Sequence, residues 1–320
     1  MNRKPIIIVP GEPNSIFLEI YLKIIKKNTI KSPIILICSQ TLLTLQMKKL
    51  RFNYKINIVE QNNILSQLKK KEINLLNVNY NPKKAFEKIS SKSNVYIENC
   101  FRIALKLLKK NITNKFINGP ISKKYFLKKK YLGVTEYLAK KTNTTKFAML
   151  IYNQNLSVSP ITTHLPIKLV SKKINKKIII NKIKLINNFY KKILKTKPQI
   201  GVTGLNPHCE SVHSYNEDLK IIKPSVNYLK RNGFKINGPY SADTIFLYNN
   251  RKKYNLIIGM YHDQVLTPIK TIYEYDAINI TLGLPFIRIS PDHGPNETMM
   301  GKNISNPLSL LKSIIFLDKI

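Results

Sequence analysis

The chain has 320 residues and a formal net charge of +37, from 54 Lys and Arg against 17 Asp and Glu, with a hydrophobic share of 43%. That length allows one large domain or two smaller ones with a sizeable core, and no run of ~18 apolar residues is present that could form a membrane span. Three widely spaced cysteines, Cys38, Cys100 and Cys209, with no CxxC, argue against a disulfide framework or a thiolate zinc site and for a reducing, cytoplasmic compartment.

A charge of +37 is compatible with nucleic-acid binding, in which basic groups displace counterions from phosphates. The type of base argues otherwise. Only six of the 54 are Arg (Arg3, Arg51, Arg102, Arg231, Arg251 and Arg288), whereas readers of phosphates or base edges favour the bidentate Arg fork. Lys, Ile and Asn all have A- and T-rich codons, so base composition accounts for their abundance together. No nucleic-acid or membrane partner is therefore expected, and Lys runs such as 69–71 and 128–130 are read as solvated faces. A degenerate, basic, nucleic-acid-associated protein is the competing reading.

From the start, Lys4 to Val9 reads as a strand, its apolar run being too short for a secretory signal before Pro10 and Gly11. Ser15 to Lys26 reads as a helix with Ser15 as N-cap, Pro33 to Cys38 as a strand and Gln40 to Leu50 as a helix. This βαβ alternation predicts an α/β fold with a largely parallel sheet covered on both faces. The Asn- and Lys-rich stretch Gln61 to Lys92 has weak periodicity and reads as loops with an edge excursion. Ile97 to Lys110 is an amphipathic helix feeding Phe116 to Pro120 and the turn NGPISKKY. Lys146 to His164 reads as two extended segments around Asn153, Gln154 and Asn155, and Leu165 to Leu194 as a helical region broken near Lys176. The alternation then resumes with strand Gln199 to Gly204, helix Glu217 to Asn232, strands Asn255 to Met260 and Ala277 to Leu282, and a closing helix, Asn306 to Leu317. Two α/β subdomains with a cleft between them follow, a larger one at about 1–125 and 275–320 and a smaller central one at about 126–274.

Polar groups concentrate between Tyr261 and Pro295, set on turns between apolar runs, where α/β enzymes carry their chemistry. Three histidines come straight after apolar strands: His164 in TTHLP, His208 in GLNPH and His262 in YHDQ. Three imidazoles at strand ends are the ligand set of a catalytic divalent metal with an open position for substrate oxygen. Zinc, cobalt, manganese or magnesium are the candidate ions. His213 lies in a polar loop and is read as an ordinary surface residue, and His293, in PDHGP, lies on a turn that can approach a ligand through Gly294.

No GxGxxG follows the first strand, and GxxxxGK[ST] and GxSxG are also missing, so Rossmann, P-loop and hydrolase-elbow readings fall away. Lys123, Lys270 and Arg288 are the cations near the histidine turns. Arg288, held between Ile287 and Ile289, is expected to pair with an anion, either a substrate phosphate or carboxylate or an Asp in a buried salt bridge.

The motifs GEPNSIFLE, NGPISK, GVTEYLA, TTHLP, GLNPH, GPYSADT, YHDQ and INITLGLPFIR followed by DHG resemble, in order and over nearly the whole chain, the 4-hydroxythreonine-4-phosphate dehydrogenase family of pyridoxal phosphate (vitamin B6) biosynthesis. The resemblance implies an isocitrate/isopropylmalate dehydrogenase-like fold and a homodimer with active sites built from both subunits. It implies metal ligands His164, His208 and His262, and substrate contacts Thr135, Lys270, Asn279 and Arg288. The adenosine side of NAD or NADP would lie on the loop that begins with Asp292, His293 and Gly294. The implied reaction is metal-assisted, NAD- or NADP-dependent oxidation of the secondary hydroxyl of 4-phosphohydroxy-L-threonine to a β-keto acid that loses carbon dioxide, with Lys123 and Asp263 as candidate proton acceptors. A related phosphorylated hydroxy acid such as a phosphothreonate is the alternative substrate.

The chain departs from the family pattern in several places. Val134 stands where the family motif has His. Glu12 replaces Asp in the first motif, and Ser15, Phe17 and Leu18 replace Gly, Gly and Pro. The turn after His208 lacks one residue and its glycines, and Pro295 and Asn296 replace Thr and Ala.

Overall fold

In the computed structural model, which describes residues 3–25, 30–127, 130–210, 215–291 and 293–320, the chain divides into two compact units, Met1–Leu138 with Pro285–Ile320, and Ala139–Leu284. The strands, in chain order, are β1 Ile6–Val9, β2 Ile34–Cys38, β3 Ile56–Ile58, β4 Ile73–Asn77, β5 Lys115–Asn118, β6 Ala148–Tyr152, β7 Ser157–Pro160, β8 Ile200–Thr203, β9 Ile236–Tyr240, β10 Leu256–Gly259, β11 Ile278–Leu282 and β12 Ile287–Pro291. No helix among the described residues is long and apolar enough to cross a membrane, and the three cysteines are not disulfide-bonded.

The first unit runs in the order β3-β4-β2-β1-β5-β12, with every pair parallel. Parallel neighbours need crossovers, and the helices Phe17–Ile24, Gln40–Leu50 and Asn94–Lys109 lie in them. Ser39 caps Gln40–Leu50, its Oγ accepting from the Leu42 N–H at 3.2 Å. Ser15 is not the cap of the first helix. Ile16 is, and Ser15 Oγ instead accepts from Phe17 N at 3.3 Å while donating to Glu12 O at 2.7 Å.

β4 is not an edge excursion, because it lies between β3 and β2. Its Asn74 misled the sequence reading. The buried amide takes an N–H from Lys69 at 2.7 Å and from Asn57 at 2.9 Å, and donates to Ile34 O at 3.2 Å and Lys69 O at 3.0 Å, so all its polar capacity is met inside.

Glu12 is less well served. It is 1% exposed, and Oε1 accepts from Asn14 N at 3.4 Å and Ser93 Oγ at 3.3 Å, while Oε2 is buried with no partner among the described residues. Burial pushes its carboxyl up from 4.5 to about 7, with the nearby Glu297 adding to the shift.

The second unit runs β11-β6-β7-β10-β8-β9. β11, β6 and β7 pair antiparallel around Asn153–Asn155, while β7, β10, β8 and β9 are parallel. β11 thus goes with the central unit through its full-length pairing with β6. β9 has no counterpart in the sequence reading, because Gly238 and Pro239 interrupt it. The residues HDQVLTPIKTIY form one helix, His262–Tyr273, rather than a turn; Pro268 inside it hid the periodicity.

Gln264, in the first turn of that helix, ties two strand ends together. Its Oε1 accepts from Met260 N at 2.7 Å and Thr203 Oγ1 at 2.8 Å, and its Nε2 donates to Gly204 O at 2.8 Å. β7 is fastened on the other side, where Ile161 N donates to Gly259 O at 2.7 Å and Thr162 Oγ1 to Met260 O at 2.8 Å. Gly259 is required here, since a Cβ would lie 2.4 Å from Val265 Cγ1.

Two outcomes follow for stability. Glu12 holds its proton in the folded state up to about pH 7 and in the unfolded chain only to about pH 4.5, so its contribution is fully present below 4.5 and lost as pH rises through 7. Urea unfolding from pH 5 to 9 should show Glu12→Gln gaining on the parent by on the order of 3 kcal/mol across that window; a difference that does not change with pH removes Glu12 as the cause. Gln264→Leu strands one carbonyl, one N–H and one hydroxyl and should cost about 3 kcal/mol or more in the same assay. Gln264→Glu, which keeps the acceptor, should cost clearly less.

Candidate active site

His164, His262 and His208 follow β7, β10 and β8, each within five residues of the strand's C-terminal end. These three strands are parallel neighbours, so the turns carrying the histidines leave the same edge of the sheet, the edge where open α/β sheets bind ligands. The rings of His164 and His262 face each other at 6.1 Å between centroids, tilted by 38°. His262 opens its helix, and its Nδ1 lies 2.6 Å from Asp263 Oδ1. In the tautomer whose Nδ1–H donates to that carboxylate, Nε2 carries the lone pair that a metal needs.

His208 is placed differently. It is exposed and left-handed, at φ 54° and ψ 15°, in the single turn Pro207–Cys209. Among the described residues no three of His, Cys, Asp and Glu are set to hold a metal ion. The structure thus joins His164 with His262 and leaves His208 apart. The donor chemistry of the joined pair fits a divalent ion, and a third ligand has to come from beyond that pair.

Asp218, which sequence reasoning passed over, shapes the His208 turn. It is fully buried, and its carboxylate accepts from Leu205 N at 2.7 Å, Asn206 N at 3.1 Å and Asn206 Nδ2 at 2.8 Å. Gly204 has to be glycine for this, because a Cβ would meet Asp218 Oδ1 and Cys209 Sγ at 2.6 Å each. Asp243, also passed over, is exposed and feels the charge of His208. The Ser241 hydroxyl donates to it and lowers its carboxyl pKa, and His208 adds a smaller favourable charge.

In the first unit, Arg288 on β12 is 2% exposed. Its Nε donates to Asn118 Oδ1 at 2.7 Å and its Nη1 to Thr135 Oγ1 at 3.2 Å, so two expected substrate residues, Arg288 and Thr135, touch one another. Burial pulls the guanidinium down to about 10, and Glu136 offsets part of that. The carboxylate that acts on it electrostatically is Glu136, next to Thr135 at the start of helix Val134–Lys141, rather than the Asp of the alternative reading.

Lys270 is half-buried, two turns along the helix from His262, and shares a face with Asp263 at i, i+7. Asn279 sits on β11 with its Oδ1 buried and without a hydrogen-bond partner among the described residues. Lys123 is exposed on the turn after β5. His293 Nδ1 lies 2.9 Å from Gly294 O, and its ring is 6.1 Å from that of Phe17. Gly294 has open space where a Cβ would stand. Asp292, like His213, lies outside the described residues.

The sequence model of the family described as "Pyridoxal phosphate biosynthetic protein PdxA" matches residues 29–316. A 4-hydroxythreonine-4-phosphate dehydrogenase from Sulfurihydrogenibium sp. (strain YO3AOP1) is 36% identical over 313 residues, covering 96% of this chain and 95% of its own. A D-threonate 4-phosphate dehydrogenase from Pectobacterium atrosepticum is 37% identical over 185 residues, covering 58% of this chain and 57% of its own. Among solved structures, one described as a putative 4-hydroxythreonine-4-phosphate dehydrogenase from Salmonella typhimurium superposes with a TM-score of 0.84 at 27% identity, covering 98% of this chain and 99% of that one. An isocitrate dehydrogenase from Methylococcus capsulatus, at 8% identity and a TM-score of 0.51 over 97% of this chain and 84% of its own, shares the fold alone. With an isocitrate dehydrogenase-like α/β fold and these matches along nearly its whole length, the chain belongs to the PdxA family of pyridoxal phosphate biosynthetic proteins, whose curated members named above are dehydrogenases.

Proposed function

We propose that the protein oxidises 4-phosphohydroxy-L-threonine at its secondary hydroxyl with NAD or NADP, giving a β-keto acid that decarboxylates to 3-amino-2-oxopropyl phosphate, in pyridoxal phosphate biosynthesis. The observation that carries this reading is the placing of three histidine turns at one edge of three adjacent parallel strands. His164, His208 and His262 would hold a divalent ion, zinc, magnesium, cobalt or manganese. When bound, the ion polarises the substrate hydroxyl and the nicotinamide ring accepts the hydride.

The remaining roles fall to side chains of this chain. Arg288, kept straight by Asn118 and Thr135, and Lys270 bind the substrate's phosphate or carboxylate. The unmatched Asn279 Oδ1 accepts from a substrate amine or hydroxyl, which offsets the cost of burying it. Asp263 orients His262 through Nδ1, and Lys123 is the other candidate proton acceptor. His208 standing apart from the His164/His262 pair accords with a homodimer whose sites draw on both subunits. Three thiols free of disulfides accord with the cytoplasm.

D-threonate 4-phosphate is the second substrate reading. Val134 beside Thr135 offers no ring nitrogen where the family motif has His, and a relative named for that substrate matches over more than half of the chain.

NADH or NADPH formation by the purified protein, with each substrate and with or without a chelator, tests the proposal. Chelation and His208→Ala should each lower turnover by ~100-fold or more, and Arg288→Met should raise KM for the phosphorylated substrate. Turnover on D-threonate 4-phosphate alone selects the second reading. Full activity of His208→Ala in chelator overturns the metal assignment.

A further inference from the structure

The loop between β12 and helix Leu308–Lys319 is held to the first unit by a lysine that none of the roles above uses. Among residues 293–306, all of them described, Ser305 alone is buried. Asn296 and Asn303 both take left-handed backbone, at φ 54° and 58°, a conformation that even asparagine adopts at some cost. The loop's own preferences therefore do not set its path.

Both of its ends are fastened to one helix, Phe17–Ile24, and its N-cap. At the near end Ile16 N donates to Pro295 O at 3.1 Å, and the Phe17 ring lies 6.1 Å from that of His293. At the far end Ser305 N donates to Glu19 Oε1 at 2.7 Å, and Lys23 Nζ donates to Asn303 O at 3.0 Å and to Ser305 O at 2.8 Å. Lys23 Nζ also donates to Glu19 Oε1 at 3.0 Å, so an ammonium group with three protons has three acceptors. An i, i+4 ion pair on a solvated helix face does little more than support its own helix. Here Glu19 is fully buried, and three of the pair's four hydrogen bonds end on loop backbone instead.

Between the two fastenings Asn296, Glu297 and Thr298 are exposed. We propose that Lys23 is a positioning residue for the nicotinamide cofactor, acting through Asn303 and Ser305 to fix the far end of this loop. Releasing the clasp adds the cost of ordering the loop to the cost of binding, so Lys23 acts on cofactor affinity and not on the chemical step. The proposal rests on the dehydrogenase reading, in which the adenosine side of NAD or NADP lies on the loop that opens with His293 and Gly294.

The test is fluorescence titration of the full-length protein with NADH and with NADPH, together with hydrogen exchange over residues 296–306 read by mass spectrometry. Lys23→Met should weaken binding of the preferred dinucleotide by ~10-fold and speed exchange in that segment by at least as much. Because this change leaves the Glu19 carboxylate buried without its cation, a second variant, Glu19→Gln/Lys23→Met, removes both charges and keeps an acceptor for Ser305 N; it should weaken binding in the same way. Lys49→Met, which removes a positive charge from the exposed face of helix Gln40–Leu50, should change neither readout. In turnover by Lys23→Met, KM for the dinucleotide should rise while kcat and KM for the phosphorylated substrate stay within ~2-fold, a split that general loosening of the fold does not produce. Unchanged exchange, unchanged dinucleotide affinity in both variants, or an equal loss of affinity for dinucleotide and substrate overturns the positioning role alone. A parent protein that binds neither NADH nor NADPH overturns the dehydrogenase reading, and this proposal with it.

Discussion

The junction at Gly259 and Met260 governs the second unit. Three parallel strands end there side by side, and backbone bonds such as Ile161 N to Gly259 O and Thr162 N to Met260 O leave Met260 N and Gly204 O to be met by side chains. Thr162 satisfies Met260 O from one side, and Gln264 satisfies Met260 N and Gly204 O from the other. The Gln264 amide and the Thr162 and Thr203 hydroxyls therefore reinforce the backbone bonds of β7, β10 and β8 at the edge from which His164, His262 and His208 depart. Because Gln264 belongs to the same helical turn as His262, the direction of that ring and the closing of the strand ends are one structural fact.

The first unit has a different constraint, a buried guanidinium. Taking Arg288 out of water costs several kcal/mol unless its N–H groups are met, and here Asn118 and Thr135 meet two of them while Glu136 supplies the opposite charge. Even pulled down to about 10, the group stays charged at neutral pH. Asn118 is itself fixed, its Nδ2 donating to Gly119 O at 2.7 Å. A cation held this way is ordered by the chain's own side chains.

The alternation of apolar runs and helical periodicity was enough to locate most strands, because each is a nearly unbroken buried run such as Ile6–Val9 or Leu256–Gly259. It failed where one polar residue or one Pro broke the pattern. β4 was lost to Asn74, β9 to Gly238 and Pro239, and helix His262–Tyr273 to Pro268. Histidines and Arg288 stood out in the sequence because such residues are scarce and lie after strands or between isoleucines. Asp218 was not, since nothing in NEDLK distinguishes a carboxylate that accepts three N–H groups from a solvated one. Motif resemblance, not periodicity, pointed to Thr135 and Asn279, whose surroundings became visible only with the fold in place.

The glycines missing from the first motif show how the chain absorbs substitutions. Gly11 keeps its positive φ of 79°, where a Cβ would lie 2.2 Å from Pro120 O, so the tightest turn is retained. Phe17, in a family glycine position, is fully buried and lies against Gly119, where any side chain would come within 2.5 Å of its ring. The same ring stands 6.1 Å from His293, and Ile16 N donates to Pro295 O at 3.1 Å. Space that glycine would leave open is thus filled by an apolar wall that supports the His293–Pro295 loop. Glu12 shows the opposite response: the longer carboxylate is enclosed with one oxygen unmatched and stays protonated to about pH 7. One replacement improved packing and the other left a polar debt, and that debt makes the stability of the first turn sensitive to pH.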